Sequence, residues 1–181
     1  MSTELYTPQL ERILSSRHFT GCGFGGVYPA DKLPRRVSPT KRFYVANTDP
    51  AHKAGEHWVA FFFTPNNTCV YFDSFGLPPL LTPFHRFIEE NSERWIYNSK
   101  RLQHPSSTLC GHYCIFFLHF MCMGKTLDSV VGALSDDLKW NDWAVTDFVN
   151  HFYQVDGLPS PTSPPFQTCG TAKRCKYFTA Y

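Results

Sequence analysis

HWVAFFFTPNNTCVYFDSFG, residues 57–76, decides the fold. The runs 57–64 and 68–75 are rich in β-branched and aromatic residues, and PNN between them is turn-forming, so the stretch predicts an antiparallel hairpin. Residues equally far from the turn then face each other. A turn centred on Pro65 sets His57 opposite Asp73, whereas one centred on Asn66 shifts the ladder by about one residue and can change the face a side chain occupies. Both put an imidazole and a carboxylate at one end of the sheet. Such a pair holds one tautomer and stabilises the imidazolium, as a general base for a thiol requires. By themselves, polar residues at strand ends are ordinary surface groups.

The thiol lies downstream, in QHPSSTLCGHYC, residues 103–114. An apolar run, 115–121, follows it and reads as a helix buried on several sides. Cys110 on its own would be a packing residue. At a helix start, however, amide N–H groups and the helix dipole favour a thiolate. Gln103, carried back by the loop HPSSTL, would supply an uncharged amide that binds an oxyanion together with the Cys110 N–H. Gly111 would let backbone come close to a substrate.

Around this centre the chain reads as one α+β domain. Thr7 caps a short helix with Pro8 at its first position and Leu10, Ile13 and Leu14 on one face. GCGFGGVYPADKLP (21–34) reads as a loop and KRFYVANT (41–48) as a strand. Phe84, Phe87 and Ile88 mark a helix, and Asn141 caps a last helix carrying Val145, Phe148, Val149 and Phe152. Residues 1–157 form the domain; 158–181 hold a proline-rich linker and a basic tail.

Composition narrows the function classes. With 181 residues, 43% hydrophobic and 17% aromatic, the chain is a packed globule. No run approaches the roughly 18 apolar residues of a membrane span, and the N-terminus lacks a signal-peptide layout, which predicts an intracellular protein with no membrane partner. The seven cysteines include no CxxC, so free thiols are expected, with neither a disulfide framework nor a metal site. The net charge is +2; residues 166–181 carry Lys173, Arg174 and Lys176 without an acid, leaving 14 basic and 15 acidic residues in the rest. Arg35, Arg36, Lys41 and Arg42 form a second basic cluster. Solvated surface is the ordinary account of both clusters, and aromatic neighbours also suit them to a polyanion such as DNA.

GEHWVAFFF, TCVYFDSFG and QHPSSTLCGHYCIFFLHF, in that order, resemble the adenovirus-type cysteine endopeptidases, the adenain family. The GCGFGG segment and the ANT strand are also similar, and the likeness runs over roughly residues 5–155. It implies a papain-like site on an α+β fold, with a central antiparallel sheet packed against the helix that carries the nucleophile. His57 would be the base, Asp73 its orienting acid, Gln103 the oxyanion donor and Cys110 the nucleophile. Trp58 would shape the pocket beside the base or simply pack. The resemblance further implies a monomer that cleaves viral precursor polypeptides at small glycine-containing sites during particle maturation, in the virion and the infected-cell nucleus. No metal or small-molecule cofactor is implied; viral DNA and a short basic activating peptide are.

Departures from the family pattern are specific. The acid is Asp where the best-known members have Glu, and residues 74–102 hold no cysteine to which an activating peptide could be linked. The tail segment AKRCKYF (172–178) resembles such a peptide and could act in cis. Two other readings stand. A protease of ubiquitin-like modifiers shares the order His, Asp, Gln, Cys, but usually has Asp directly before the nucleophile, where this chain has Leu109. An inactive structural or nucleic-acid-binding virion protein would keep the fold without the reaction.

Overall fold

The computed structural model describes residues 4–154. Its centre is a five-stranded sheet in the sequential order β1-β2-β3-β4-β5. The strands are β1 (Phe24–Pro29), β2 (Phe43–Asn47), β3 (Trp58–Phe63), β4 (Thr68–Phe72) and β5 (Arg94–Tyr97). β2, β3 and β4 pair antiparallel, and each outer strand joins its neighbour parallel, so the sheet is mixed with an antiparallel centre. The hairpin forms as the sequence predicts, but Ala60 pairs with Phe72 and Phe63 with Cys69, which centres it on Asn66 and corrects the register centred on Pro65. His57 and Asp73 each lie one residue beyond the strands, at the same end of the sheet.

Strand alternation divides the core. Even-numbered Trp58, Ala60, Phe62, Val70 and Phe72 face one large apolar cluster; odd-numbered Val59, Phe61, Phe63, Cys69 and Tyr71 face another. α3 (Thr82–Glu89) covers the odd face with Phe84, Phe87 and Ile88. α4 (Cys110–Cys122) covers the even face, and its twelve residues from Cys110 to Met121 are all buried. Phe117 of α4 stacks on Phe72 with ring centroids 4.5 Å apart. α1 (Thr7–Leu14), α2 (Arg17–Cys22), α5 (Leu127–Gly132) and α6 (Leu138–Tyr153) pack around α4, which explains why α4 has no polar face.

Several local expectations are corrected. The span 21–34 is not a loop: it contains the end of α2, strand β1 and one turn of 3-10 helix, Ala30–Lys32. Its glycines mimic a loop because a Cβ on Gly25 would sit 2.3 Å from the Tyr44 ring, so the edge strand needs glycine to lie against that ring. Tyr6, not Thr7, caps α1, with Pro8 in its first turn. Asp137, not Asn141, caps α6 by accepting from the Lys139 and Trp140 N–H groups. Cys22 and Cys122 form a disulfide, Cα to Cα 5.5 Å, against the expectation of free thiols; Cys69, Cys110 and Cys114 are free and buried. The domain boundary, linker and tail, with Cys169, Cys175 and the tail cations, lie outside the described residues.

Phe117→Ala should lower the unfolding free energy by about 3 to 5 kcal/mol, since a buried aromatic leaves a cavity beside Phe72. Leu80→Ala, at a side chain 70% exposed, should change it by less than about 0.5 kcal/mol. Urea denaturation of both variants measures the contrast.

Candidate active site

The turn that leaves β4, Asp73-Ser74-Phe75-Gly76, organises one end of the sheet. Asp73 Oδ1 lies 3.0 Å from His57 Nε2 and accepts the Phe75 N–H at 2.7 Å. Asn98, just past β5, fixes the Asp73 backbone from both sides: its Oδ1 accepts the Asp73 N–H at 3.0 Å and its Nδ2 donates to the Asp73 carbonyl at 2.6 Å. The Phe75 ring stacks on the His57 imidazole, centroids 4.9 Å apart and 27° between planes. Gly76 adopts φ +74, and a Cβ there would meet the Lys100 carbonyl carbon at 2.7 Å, so the close approach to the 98–101 segment requires glycine.

Burial of His57 disfavours its charge. The hydrogen bonds to Asp73 and to the Cys110 sulfur, with the negative charge of both groups, outweigh that and raise its pKa to about 9. Nε2 is engaged by Asp73, so Nδ1 is the ring nitrogen left for the thiol. The site thus joins a residue before β3, a residue after β4 and the first residue of α4.

Ser74 ties in the fourth predicted residue. Its hydroxyl donates to Gln103 Oε1 at 2.6 Å, and its carbonyl accepts the Leu102 and Gln103 N–H groups. Gln103 Nε2 donates to the Ser107 carbonyl at 2.7 Å. An amide nitrogen carries two hydrogens, so one N–H remains. The segment is held from behind as well: the Leu102 carbonyl accepts from Tyr113 Oη and Asn141 Nδ2, and Tyr113 Oη lies 2.8 Å from Asp142 Oδ1. Among the described residues no side chain caps α4 at Leu109, and its first backbone bond, from the Tyr113 N–H to the Leu109 carbonyl, leaves the Cys110 N–H outside the helix ladder.

Sequence reasoning did not find Ser74, Phe75 or Asn98. Ser74 and Phe75 sit in the quoted DSFG, where only Asp73 carries an obvious charge, and Asn98 belongs to a short strand end with no motif. Gly111 makes room for packing: a Cβ there would lie 3.1 Å from Leu5 Cβ and 3.5 Å from Trp58 Cδ1. Trp58 is buried and donates Nε1–H to the Leu5 carbonyl at 2.9 Å, fastening the N-terminal segment beside the start of α4.

The basic cluster sits at the other end of the sheet, around the hairpin turn. Arg35 pairs with Glu90 at 3.3 Å and Arg36 donates to the Glu90 carbonyl, so the residue that caps the end of α3 engages both. Arg36, Lys41 and Arg42 line a cleft of about 590 Å³ with Asn67 and Glu93. Lys173, Arg174 and Lys176 lie outside the described residues.

No protein-family model matches the chain. A protein named Protease from Human adenovirus B serotype 3 is 33% identical over 116 residues, covering 55% of this chain and 55% of its own length. The Protease of Bovine adenovirus 4 is 29% identical over 130 residues, covering 61% and 62%. The chain thus spans 55 to 62% of the length of these curated relatives. The crystal structure of an ASFV protease superposes with a TM-score of 0.59 at 16% identity, over 79% of this chain and 66% of that one, a likeness of fold. The resemblance to adenovirus-type proteases read from the motifs is borne out, as is the α+β fold.

Because its folded pKa is raised, His57 stabilises the fold fully below pH 6.5, and that contribution is lost as pH rises through about 9. NMR titration of the ring should give a midpoint near 9 in the native protein. In Asp73→Asn the midpoint should fall by more than about one unit, since burial then acts with less opposition. An unchanged midpoint would remove Asp73 as the cause.

Proposed function

We propose that the chain is a viral cysteine endopeptidase of the adenovirus type. The observation that carries this reading is the His57–Asp73 hydrogen bond of 3.0 Å, set beside the thiol that opens α4. Cys110 attacks the scissile carbonyl as a thiolate while His57 holds the proton as imidazolium, steadied by Asp73. The carbonyl oxygen becomes an oxyanion and takes the Cys110 N–H and the remaining Gln103 N–H. His57 then gives its proton to the departing amine as the carbon–nitrogen bond breaks. Water, deprotonated by His57, cleaves the thioester and returns the thiol.

The adenovirus proteases similar to this chain support a viral protein substrate. Our reading takes that substrate to be precursor polypeptides of the particle, cut at small glycine-containing sites during maturation in the virion and the infected-cell nucleus. The enzyme acts as a monomer without metal. Lys41 and Arg42, which α3 does not engage, are the described cations best suited to DNA phosphates. The tail, residues 166–181, acts as an activating segment in cis; truncation after Pro159 should lower peptide cleavage, with partial recovery when the tail peptide is added.

Glycine-containing peptide libraries test the assignment. Cleavage should disappear in Cys110→Ser and persist in Cys114→Ser, provided the latter folds. Gln103→Ala should lower kcat about 100- to 1000-fold with little change in KM, because its amide acts on charge present only in the transition state. Gln103→Glu should be slower still. Retained activity in Cys110→Ser, or native kinetics in Gln103→Glu, would overturn the roles given.

A further inference from the structure

α4 begins at a free thiol and ends at an oxidised one. Cys110 is its first residue; Cys122, its last, is bonded to Cys22 at the end of α2. Twelve residues of helix set the two sites roughly 18 Å apart, so the Cys110 sulfur does not reach the disulfide. Unlike the buried free cysteines, Cys22 and Cys122 are both partly exposed, and they line a cleft of about 640 Å³. Two features shape that cleft. Gly21 and Gly124 line it beside the two cysteines, and a Cβ on either would meet nothing within 4 Å, so the cleft is open at both glycines. Arg42 and Lys125 contribute to the wall, and among the described residues no carboxylate does.

We infer that the Cys22–Cys122 disulfide is an exchange site for an anionic low-molecular-weight thiol, and that the redox state of this pair sets how firmly α2 is held to α4. An incoming thiolate attacks one sulfur along the S–S axis, the protein disulfide breaks, and the displaced cysteine leaves as a thiolate beside Arg42 or Lys125. A second thiolate attacks the mixed disulfide, forms the external disulfide and releases the other cysteine. Two external thiols are oxidised and the protein pair is reduced, each protein thiolate taking up a proton. The positive wall favours the anionic attacker and the thiolate that leaves. After reduction, α2 keeps its noncovalent hold on α4, including the stacking of His18 on His119 with centroids 4.6 Å apart. The fold therefore survives in a looser form. This inference does not depend on proteolysis, because it is read on the sulfurs and on unfolding.

The test uses the full chain, purified in air, with alkylation of free thiols and peptide mapping by mass spectrometry. Cys22 and Cys122 should resist alkylation at first and become reactive after millimolar glutathione, while circular dichroism stays native. Mapping separates any adduct on Cys110. Glutathione and the cationic thiol cysteamine are compared, each normalised to its rate on a small-molecule disulfide. Glutathione should be several-fold faster, and Arg42→Gln or Lys125→Gln should narrow the ratio; if the Arg42 variant fails to fold, Lys125→Gln decides. The thermal midpoint should be lower in the reduced protein. Alkylation of both cysteines at the outset, reduction only on unfolding, equal normalised rates, or a midpoint independent of redox state would each overturn the proposal.

Discussion

The turn after β4 holds two distant parts of the chain at once. Asp73 fixes the ring of His57 and Ser74 fixes the amide of Gln103, so neighbouring residues determine the separation of an imidazole and an oxyanion donor. A turn that bore both contacts on flexible backbone would fix neither. Here the Asn98 amide grips Asp73 by its N–H and its carbonyl, the Leu102 and Gln103 N–H groups grip Ser74, and Gly76 lets the following segment come close. Buried polar groups cost free energy when unpaired, so a cluster with this many mutual hydrogen bonds has one favoured arrangement.

α4 is the complement of that turn. Its apolar circumference buries it between the sheet and the surrounding helices, which leaves its uncapped first turn directed at the end of the sheet where His57 sits. Near that start, Trp58 and Leu5 close over Gly111 and Tyr113 reaches across to Leu102. Pairing is incomplete at His112: among the described residues neither ring nitrogen has a hydrogen-bond partner, as is also true of the Ser107 hydroxyl, and burial lowers the His112 pKa to about 4, so it is neutral at physiological pH.

At one end of the sheet the Asp73 carboxylate meets the His57 imidazole, whereas Arg36, Lys41 and Arg42 gather at the hairpin end beside Glu90 and Glu93, with Lys125 near the close of α4. The basic groups are therefore too far from the thiol to act on its chemistry directly, and their effects belong to whatever anion meets that surface.

The sequence by itself determined the hairpin and the buried helix, and pointed to His57, Asp73, Gln103 and Cys110 as candidates, because strand alternation, a turn-forming PNN and a long, mostly apolar run are local signals. It misread residues 21–34, where glycines needed to accommodate Tyr44 look like loop glycines, and it missed β5, a four-residue edge strand whose alternating burial is hidden in the sequence by an exposed Ile96. Tertiary structure alone decided the hairpin register, the Cys22–Cys122 pairing across 100 residues, and the parts played by Ser74, Phe75 and Asn98. Each of these depends on atoms brought together from separate segments. Spacing along a chain carries no information about such a meeting until the sheet and α4 have packed.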